Sequence, residues 1–252
     1  MTYTPRTSGW PERLWRTNNA MDVARGNVPG SYPYTTFGEH VTAGAVNSVV
    51  IRETGMPDFL TVPSGIRLTL VSTSASDIGN LHIRYLDGDL LERTEVVTLT
   101  GTASVNTVAD DIRAINNAYY VGGPGVVGTV TGVSGGIMHL HMPPGDVQYN
   151  TSMQRVPANK RLMITGMYAG ATSGTAAAGA TVKLETSFIN GDSFADLGYL
   201  HPVAAIGLQD NSQSLSGFGT FPIKPGEWVG FTASTDKAAK IVAGILGWME
   251  DV

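Results

Sequence analysis

The chain has 252 residues, with 15% charged residues, 31 glycines and no cysteine. This length is enough for one large or two ordinary domains with a sizeable core, and the lack of cysteine excludes disulfides, thiolate catalysis and cysteine zinc sites. The net charge of -5 disfavours general nucleic-acid binding, which needs many cations to replace counterions. No apolar run approaches the roughly 20 residues of a membrane span. We therefore expect no nucleic-acid partner and no membrane partner.

Residues 1–40 differ in composition from the rest of the chain. Prolines at this density exclude a long regular element, although residues 12–24 could form one short helix. Disordered segments are poor in aromatic residues, so we predict an extended N-terminal arm that packs on a neighbouring subunit. Packing on its own domain is the alternative. The residues behind this prediction are Pro5, Pro11, Pro29, Pro33, Trp10, Trp15, Tyr32, Tyr34 and Phe37.

Residues 79–101 predict a β-hairpin. Leu81, Ile83 and Tyr85 alternate with polar residues, and this period of two is typical of a half-buried strand. Asp87-Gly88 is expected to supply the positive backbone angles of a tight turn.

A first β domain is predicted over residues 41–144. Its strands are predicted at 46–52, 66–72, 80–86, 93–100, 118–121, 126–131 and 137–142.

One helix is predicted inside this first domain. Asn106 or Thr107 can cap it, and Asp110 and Asp111 would lie in its first turns, where carboxylates suit the helix dipole. The apolar residues at helical spacing, which indicate one buried face, are Val108, Ile112 and Ile115.

A second β domain is predicted over residues 145–252. Its strands are predicted at 149–156, 162–169, 181–187, 200–206, 217–223, 227–233 and 241–250. Residues 62–70 and 156–164 share Val-Pro, then Arg-Leu, which favours a duplication over chance similarity. The fold class predicted is all-β, with two jelly-roll-like β-sandwich domains, one short helix and an extended N-terminal arm.

His139 and His141 form the best candidate metal site. Alternate residues of a strand point to one face, so two imidazoles could share a cation. Asp146 lies just beyond, past a Pro-Pro-Gly turn, but no third histidine is near in sequence, so we interpret the two histidines as solvent-facing and predict no metal site. Copies on an oligomer axis could add ligands.

The other candidate chemical groups have structural explanations. Asp87 and Asp89 flank the predicted turn, and Asp110 and Asp111 the predicted helix start. Residues 132–136 match the Gly-x-Ser-x-Gly nucleophile elbow around Ser134, but a strand is predicted to follow, where the elbow needs a helix. We interpret this stretch as a hairpin loop and the glycine-rich residues 122–125 as a turn, and we predict no catalytic and no cofactor-binding residues.

Aromatic residues leave two further possibilities open. Arg13 and Arg16 lie beside Trp10 and Trp15, an arrangement that favours a protein contact over nucleic acid because acidic residues are interleaved. A sugar-binding platform or a place in the core are the two alternatives for Tyr119, Tyr120 and Trp228.

Several stretches resemble virion structural proteins of tailed bacteriophages. They are Gly26-Asn27-Val28-Pro29-Gly30, Phe37-Gly38, Ser76-Asp77, Ile83-Arg84-Tyr85-Leu86-Asp87, Thr94-Glu95-Val96-Val97-Thr98-Leu99-Thr100-Gly101 and Val156-Pro157-Ala158-Asn159-Lys160. The resemblance implies a capsid decoration or cement protein, on the capsid surface, that is homotrimeric and binds the major capsid protein. It carries no active-site residues and implies no cofactor.

We therefore expect a non-enzymatic virion protein that stabilises the head shell through its arm and its oligomer contacts. A tail, collar or fibre adaptor is the first alternative. A carbohydrate-binding β-sandwich module is the second.

Overall fold

A computed structural model describes residues 19–52, 65–172, 179–187, 201–209 and 212–252. Nearly all regular structure in these ranges is β, which confirms the predicted class, and one short helix, α1 (Asn19–Ala24), precedes the strands. No helix in these ranges is long and apolar enough to cross a membrane. The strands are β1 (Ser31–Thr35), β2 (Gly38–Val41), β3 (Val46–Val50), β4 (Thr69–Ser72), β5 (Asn80–Leu86), β6 (Glu92–Thr98), β7 (Val105–Asn106), β8 (Ala114–Val121), β9 (Val130–Ser134), β10 (Ile137–Met142), β11 (Gln154–Arg155), β12 (Lys160–Thr172), β13 (Gly179–Ser187), β14 (His201–Gln209), β15 (Ser212–Ile223), β16 (Trp228–Thr235) and β17 (Lys240–Asp251).

The described strands form four antiparallel sheets. Sheet I has the order β10-β9-β4-β7, and sheet II has the order β6-β5-β8. Sheet III has the order β1-β17-β12-β15, with β2 also paired to β17. Sheet IV has the order β11-β16-β13-β14, with β3 also paired to β16. The jelly-roll arrangement of two sandwiches stays a prediction.

Two hydrophobic cores organise these sheets. Leu70 and Leu140 of sheet I share the first core with Leu81 and Ile83 of sheet II. Sheets III and IV contribute to the second core, which includes Leu162, Ile164, Ile241, Ile245, Val229 and Phe231. Each such side chain contributes about 1.5–3 kcal/mol when fully buried. The alternation that predicted β5 is confirmed, because its odd-numbered residues face the first core.

The hairpin between β5 and β6 is confirmed, but its turn differs from the one predicted. The connection spans residues 87–91, and the positive φ belongs to Leu90 (60°), not to Gly88. The Asp87 carboxylate accepts the backbone N–H groups of Asp89 (3.0 Å) and Leu91 (2.9 Å). The aspartate side chain therefore shapes a longer turn.

The predicted helix after Asn106 is wrong. Thr107 Oγ1 instead accepts the backbone N–H of Leu68 at 3.0 Å, and Ile112 pairs with Ile66 in an isolated bridge. Val108 is 85% exposed, so it belongs to no buried face. Hydroxyl side chains that bond to the backbone compete with helix formation, and β-branched residues suit the extended chain that continues into β8.

The described part of the predicted arm folds back on the chain itself. β1 pairs with β17 from Ser31↔Glu250 to Thr35↔Leu246, and β2 pairs further along the same edge. The extended arm is therefore wrong for residues 19–40, where the alternative of packing on its own body holds. Residues 1–18 lie outside the described residues.

Sheet membership crosses one predicted domain boundary. β3, expected in the first domain, pairs with β16, so Val50 lies opposite Thr232. The division into 1–40, 41–144 and 145–252 stays a prediction, as does the duplication, since residues 62–64 lie outside the described residues.

Candidate ligand-binding cavity

A polar cavity lies between β1 and the outward face of sheet II, and we call it the β1 cavity. Its volume is about 370 Å³. It exists because β1 is held by β17 in sheet III and faces the side of β5 turned away from the first core. The lining residues are Tyr32, Pro33, Tyr34, Thr35, Thr36, Phe37, Arg84, Glu92, Asn116, Asn117, Gln148, Tyr149, Thr151 and Gln154.

The floor of the cavity is a chain of buried hydrogen bonds. The Tyr34 hydroxyl donates to Gln154 Oε1 at 2.5 Å, and Gln154 Nε2 donates to the Asn116 carbonyl at 2.8 Å. Asn116 in turn donates to the Arg155 carbonyl at 2.8 Å and accepts the Arg155 N–H at 3.0 Å. Burial, followed by the nearby Glu92 carboxylate, raises the pKa of Tyr34 far above its ordinary value. The floor is therefore neutral and held in one arrangement.

The rim carries one ion pair. Arg84 donates to Glu92 Oε1 at 2.8 Å, and both side chains are partly exposed. Burial lowers the pKa of Arg84, but the Glu92 hydrogen bond outweighs it and the net pKa is raised. Burial first, and then Glu92, raises the pKa of Tyr32 to about 12. Tyr32 and Tyr34 therefore stay protonated at neutral pH, and the charges on the lining cancel.

The mouth of the cavity is formed by exposed residues. Pro33, Thr35, Phe37 and Gln148 are exposed, whereas the floor residues are buried. A small molecule can therefore enter from one side and reach preordered polar groups. The sequence offered no motif for it, because its residues are scattered from position 32 to position 154.

The two candidate metal ligands are not a solvent-facing pair. His139 is buried and lines a small void of about 10 Å³ with Ile115 and Trp228, which makes the predicted exposure wrong. A β-bulge between Met138 and Leu140 interrupts the alternation that would place both imidazoles on one face. Among the described residues, no group of three His, Cys, Asp or Glu side chains could hold a metal ion.

Burial also controls the charge of these histidines. It lowers the pKa of His139 to about 4, against a hydrogen bond with the Ser134 backbone that raises it. It lowers the pKa of His141 as well. Both imidazoles are therefore neutral at pH 7.

The candidate acidic residues form hydrogen bonds and ion pairs within turns and loops. Asp87 is held by Arg93 Nε at 2.7 Å in addition to its turn contacts, which confirms its structural interpretation. Asp111 accepts the Gly88 N–H at 3.2 Å, and Asp110 meets Arg67 at 3.4 Å on the surface. These two tie the loop before β8 to its neighbours and do not begin a helix.

Ser134 ends β9 in a hairpin. Gly135 and Gly136, with φ of 57° and 80°, form the two-residue turn into β10. Two positive φ values suit the tight turn of a hairpin. The hairpin interpretation is confirmed, because a strand follows where a nucleophile elbow needs a helix.

The three aromatic residues considered for a sugar platform separate in the structure. Tyr120 and Trp228 are buried in the first core. Tyr119 is 40% exposed and stacks on His82 with ring centroids 4.6 Å apart. The predicted basic and aromatic cluster at residues 10–16 lies outside the described residues.

No family model matches this chain, and no curated protein matches its sequence. Among solved structures, it is similar to a chain in a structure of infectious bursal disease virus, Gx strain, at 12% identity over 88% of this chain and 70% of that one, with a TM-score of 0.18. A structure of the Gt strain gives 10% identity, 87% and 78% coverage and a TM-score of 0.13. T=1 particles derived from the virus give 12% identity, 88% and 76% coverage and a TM-score of 0.12. Similarity this weak carries no argument about function.

Proposed function

We propose that this chain is a non-enzymatic structural protein of a bacteriophage virion, a homotrimeric decoration protein that binds the major capsid protein on the capsid surface. The sequence resemblance described above points to this class. The structural observation that carries the proposal is a pairing between distant parts of the chain, which we call the closure. β1 and β2 pair with β17 in sheet III, and β3 pairs with β16 in sheet IV. A protein that stabilises a capsid shell has to resist local unfolding of its strands, and the closure provides this resistance.

The closure involves contacts between residues far apart in sequence. Thr36 Oγ1 accepts the Ile245 N–H across 209 positions, and Thr42 Oγ1 accepts the Ala239 N–H across 197. An ion pair also joins β2 to β17, from Lys240 to Glu39 at 2.7 Å. Exposed pairs contribute only about 0–1 kcal/mol each, so the strand pairing provides most of the closure.

In this proposal, residues 1–18 bind the capsid shell. These residues join the body at α1, which contacts β1 and β17, and their sequence contains Trp10 and Trp15. Tryptophan and arginine are the residues most often found at the energetic centre of protein interfaces.

Removal of residues 1–18 tests whether they bind the capsid shell. We expect the truncated protein to keep its melting temperature, because α1 and every described strand remain, and to lose binding to undecorated heads in a sedimentation assay. The matched control is the full chain with Val108→Ala, an exposed side chain on the body. Full occupancy of heads by the truncated protein would contradict the proposed role of residues 1–18.

The copy number distinguishes the head from the tail, collar or fibre alternative. Because the symmetry of each location sets its number of sites, on the order of hundreds of copies per particle supports the shell and about a dozen or fewer supports the tail. Quantitative mass spectrometry of purified particles gives this number, and light scattering of the free protein checks the trimer.

A further inference from the structure

We propose that the β1 cavity binds a neutral, hydroxyl-rich ligand, namely a sugar residue. Its volume of about 370 Å³ is within the range of roughly 300–1,000 Å³ typical of small-molecule sites. This proposal goes beyond the structural role proposed above and does not rest on it.

The charges on the lining favour a neutral ligand. Arg84 and Glu92 are the two charged lining residues, and they bond to each other at 2.8 Å. An anion would have to compete with Glu92 for Arg84, and a cation with Arg84 for Glu92. A hydroxyl group can donate to the free carboxylate lone pairs and accept from the remaining guanidinium N–H groups without separating the pair.

Two buried polar atoms call for a partner that can both donate and accept. The Tyr32 hydroxyl and Asn117 Oδ1 are shielded from solvent and form no hydrogen bond of normal geometry within the protein. Buried polar groups are paired in nearly all proteins, with protein, water or ligand. Sugar hydroxyls suit both atoms, because each hydroxyl is a donor and an acceptor.

One aromatic ring of the lining, that of Phe37, is exposed and can pack against the C–H groups of a pyranose. Tyr34 and Tyr149 also line the cavity but belong to the two cores, and Lys160 Nζ lies 5.3 Å from the centre of the Tyr32 ring. The hydrogen-bonded floor fixes Tyr34 in place, so little ordering accompanies binding.

The test uses the full-length protein and two kinds of probe. Saturation-transfer NMR with glucose, galactose, mannose and N-acetylglucosamine measures single sugar residues. An array of neutral and sialylated glycans measures sugars attached to longer chains. We expect binding to neutral sugars that is insensitive to NaCl. Binding on the array alone would identify an extended glycan as the ligand. Binding in both assays would show that a single sugar residue is sufficient.

Tyr32→Phe and Asn117→Leu are the diagnostic variants. Tyr32→Phe removes a hydroxyl that forms no hydrogen bond of normal geometry within the protein and interacts with the nearby Arg84, so the fold should persist, while sugar affinity should fall roughly 3- to 10-fold for one lost hydrogen bond. Tyr119→Phe, on the exposed stack outside the cavity, is the matched control and should bind like the wild type.

Three results would overturn the proposal. The first is the absence of neutral-sugar binding in both assays. The second is unchanged affinity in Tyr32→Phe and Asn117→Leu, and the third is a preference for sialylated glycans. None of them bears on particle binding, so the outcome is independent of the test of residues 1–18.

Discussion

Asp77 shows how one side chain can organise two loops. Its buried carboxylate accepts the Ser72 hydroxyl at 2.5 Å and the backbone N–H groups of Val127 at 2.7 Å and Gly128 at 2.9 Å. Burial alone would raise the pKa of Asp77, but these three hydrogen bonds outweigh it and the net pKa is lowered. The ionised form is therefore part of the folded structure.

We expect Asp77→Asn to lower the free energy of unfolding by about 1–3 kcal/mol, because an amide cannot accept all three bonds. Since the folded pKa lies below the ordinary value of 3.8, the contribution is complete above that value and is lost as the pH falls through the lowered pKa. Thermal unfolding at pH 7 and at about pH 3 measures the difference. The control is Asp89→Asn, an exposed carboxylate in the turn between β5 and β6. Equal effects of the two substitutions at pH 7 would contradict this role of Asp77.

At the scale of elements, Asn116 connects β8 to β11. Its side-chain amide bonds to both the N–H and the C=O of Arg155, as a neighbouring strand would. The Arg155 side chain continues the connection, because its Nε donates to the Gly226 carbonyl at 3.2 Å and its guanidinium lies 5.5 Å from the centre of the Trp228 ring. This contact joins strands from the two cores.

Asn116→Ala should reduce the free energy of unfolding by about 2–4 kcal/mol, since two buried backbone groups lose their partner. Urea unfolding monitored by circular dichroism measures it. Asn106→Ala removes an exposed asparagine that bonds Thr69 at 2.8 Å, and should change stability by less than about 0.5 kcal/mol. Similar losses in both variants would show that the contact to Arg155 is unimportant.

At the scale of the whole molecule, closure depends on a close backbone approach near β2. A Cβ at Gly38 would lie 2.4 Å from the Ser152 nitrogen and 2.6 Å from the Ile51 carbonyl oxygen. Ser152 itself donates to that carbonyl through its hydroxyl at 2.6 Å and accepts the Phe231 N–H at 3.2 Å. β2 therefore fits closely against Ile51, just after β3, and against the loop before β11.

Gly38→Ala should displace β2 and lower the free energy of unfolding by about 1–3 kcal/mol. Hydrogen exchange should accelerate at residues 38–41 and at the amides of β17 that pair with them. Gly44→Ala is the matched control, because a Cβ there meets nothing within 4 Å. If both variants exchange alike, the close approach does not hold the closure.

The local pattern of residues was enough to predict much of this fold. The boundaries of β5 and β10 match their predictions, and the glycine hairpin before β10 was interpreted correctly. In these elements the alternation of apolar and polar residues matches one buried and one exposed sheet face, so neighbouring residues carry the signal. The absence of regular helix after Thr107 was not predictable in this way, because helical spacing there was overridden by bonds to Leu68 and Ile66.

Long-range packing decides the pairing of β1 and the position of the β1 cavity. β1 becomes a strand because its partner, β17, lies at the other end of the chain, and a single sequence contains no local mark of that pairing. The β1 cavity depends on the same event, since it forms where β1 faces the outward side of β5. Periodicity reports which face of a strand is buried, but not which distant element covers the other face, and in this protein the candidate binding site lies between two such elements.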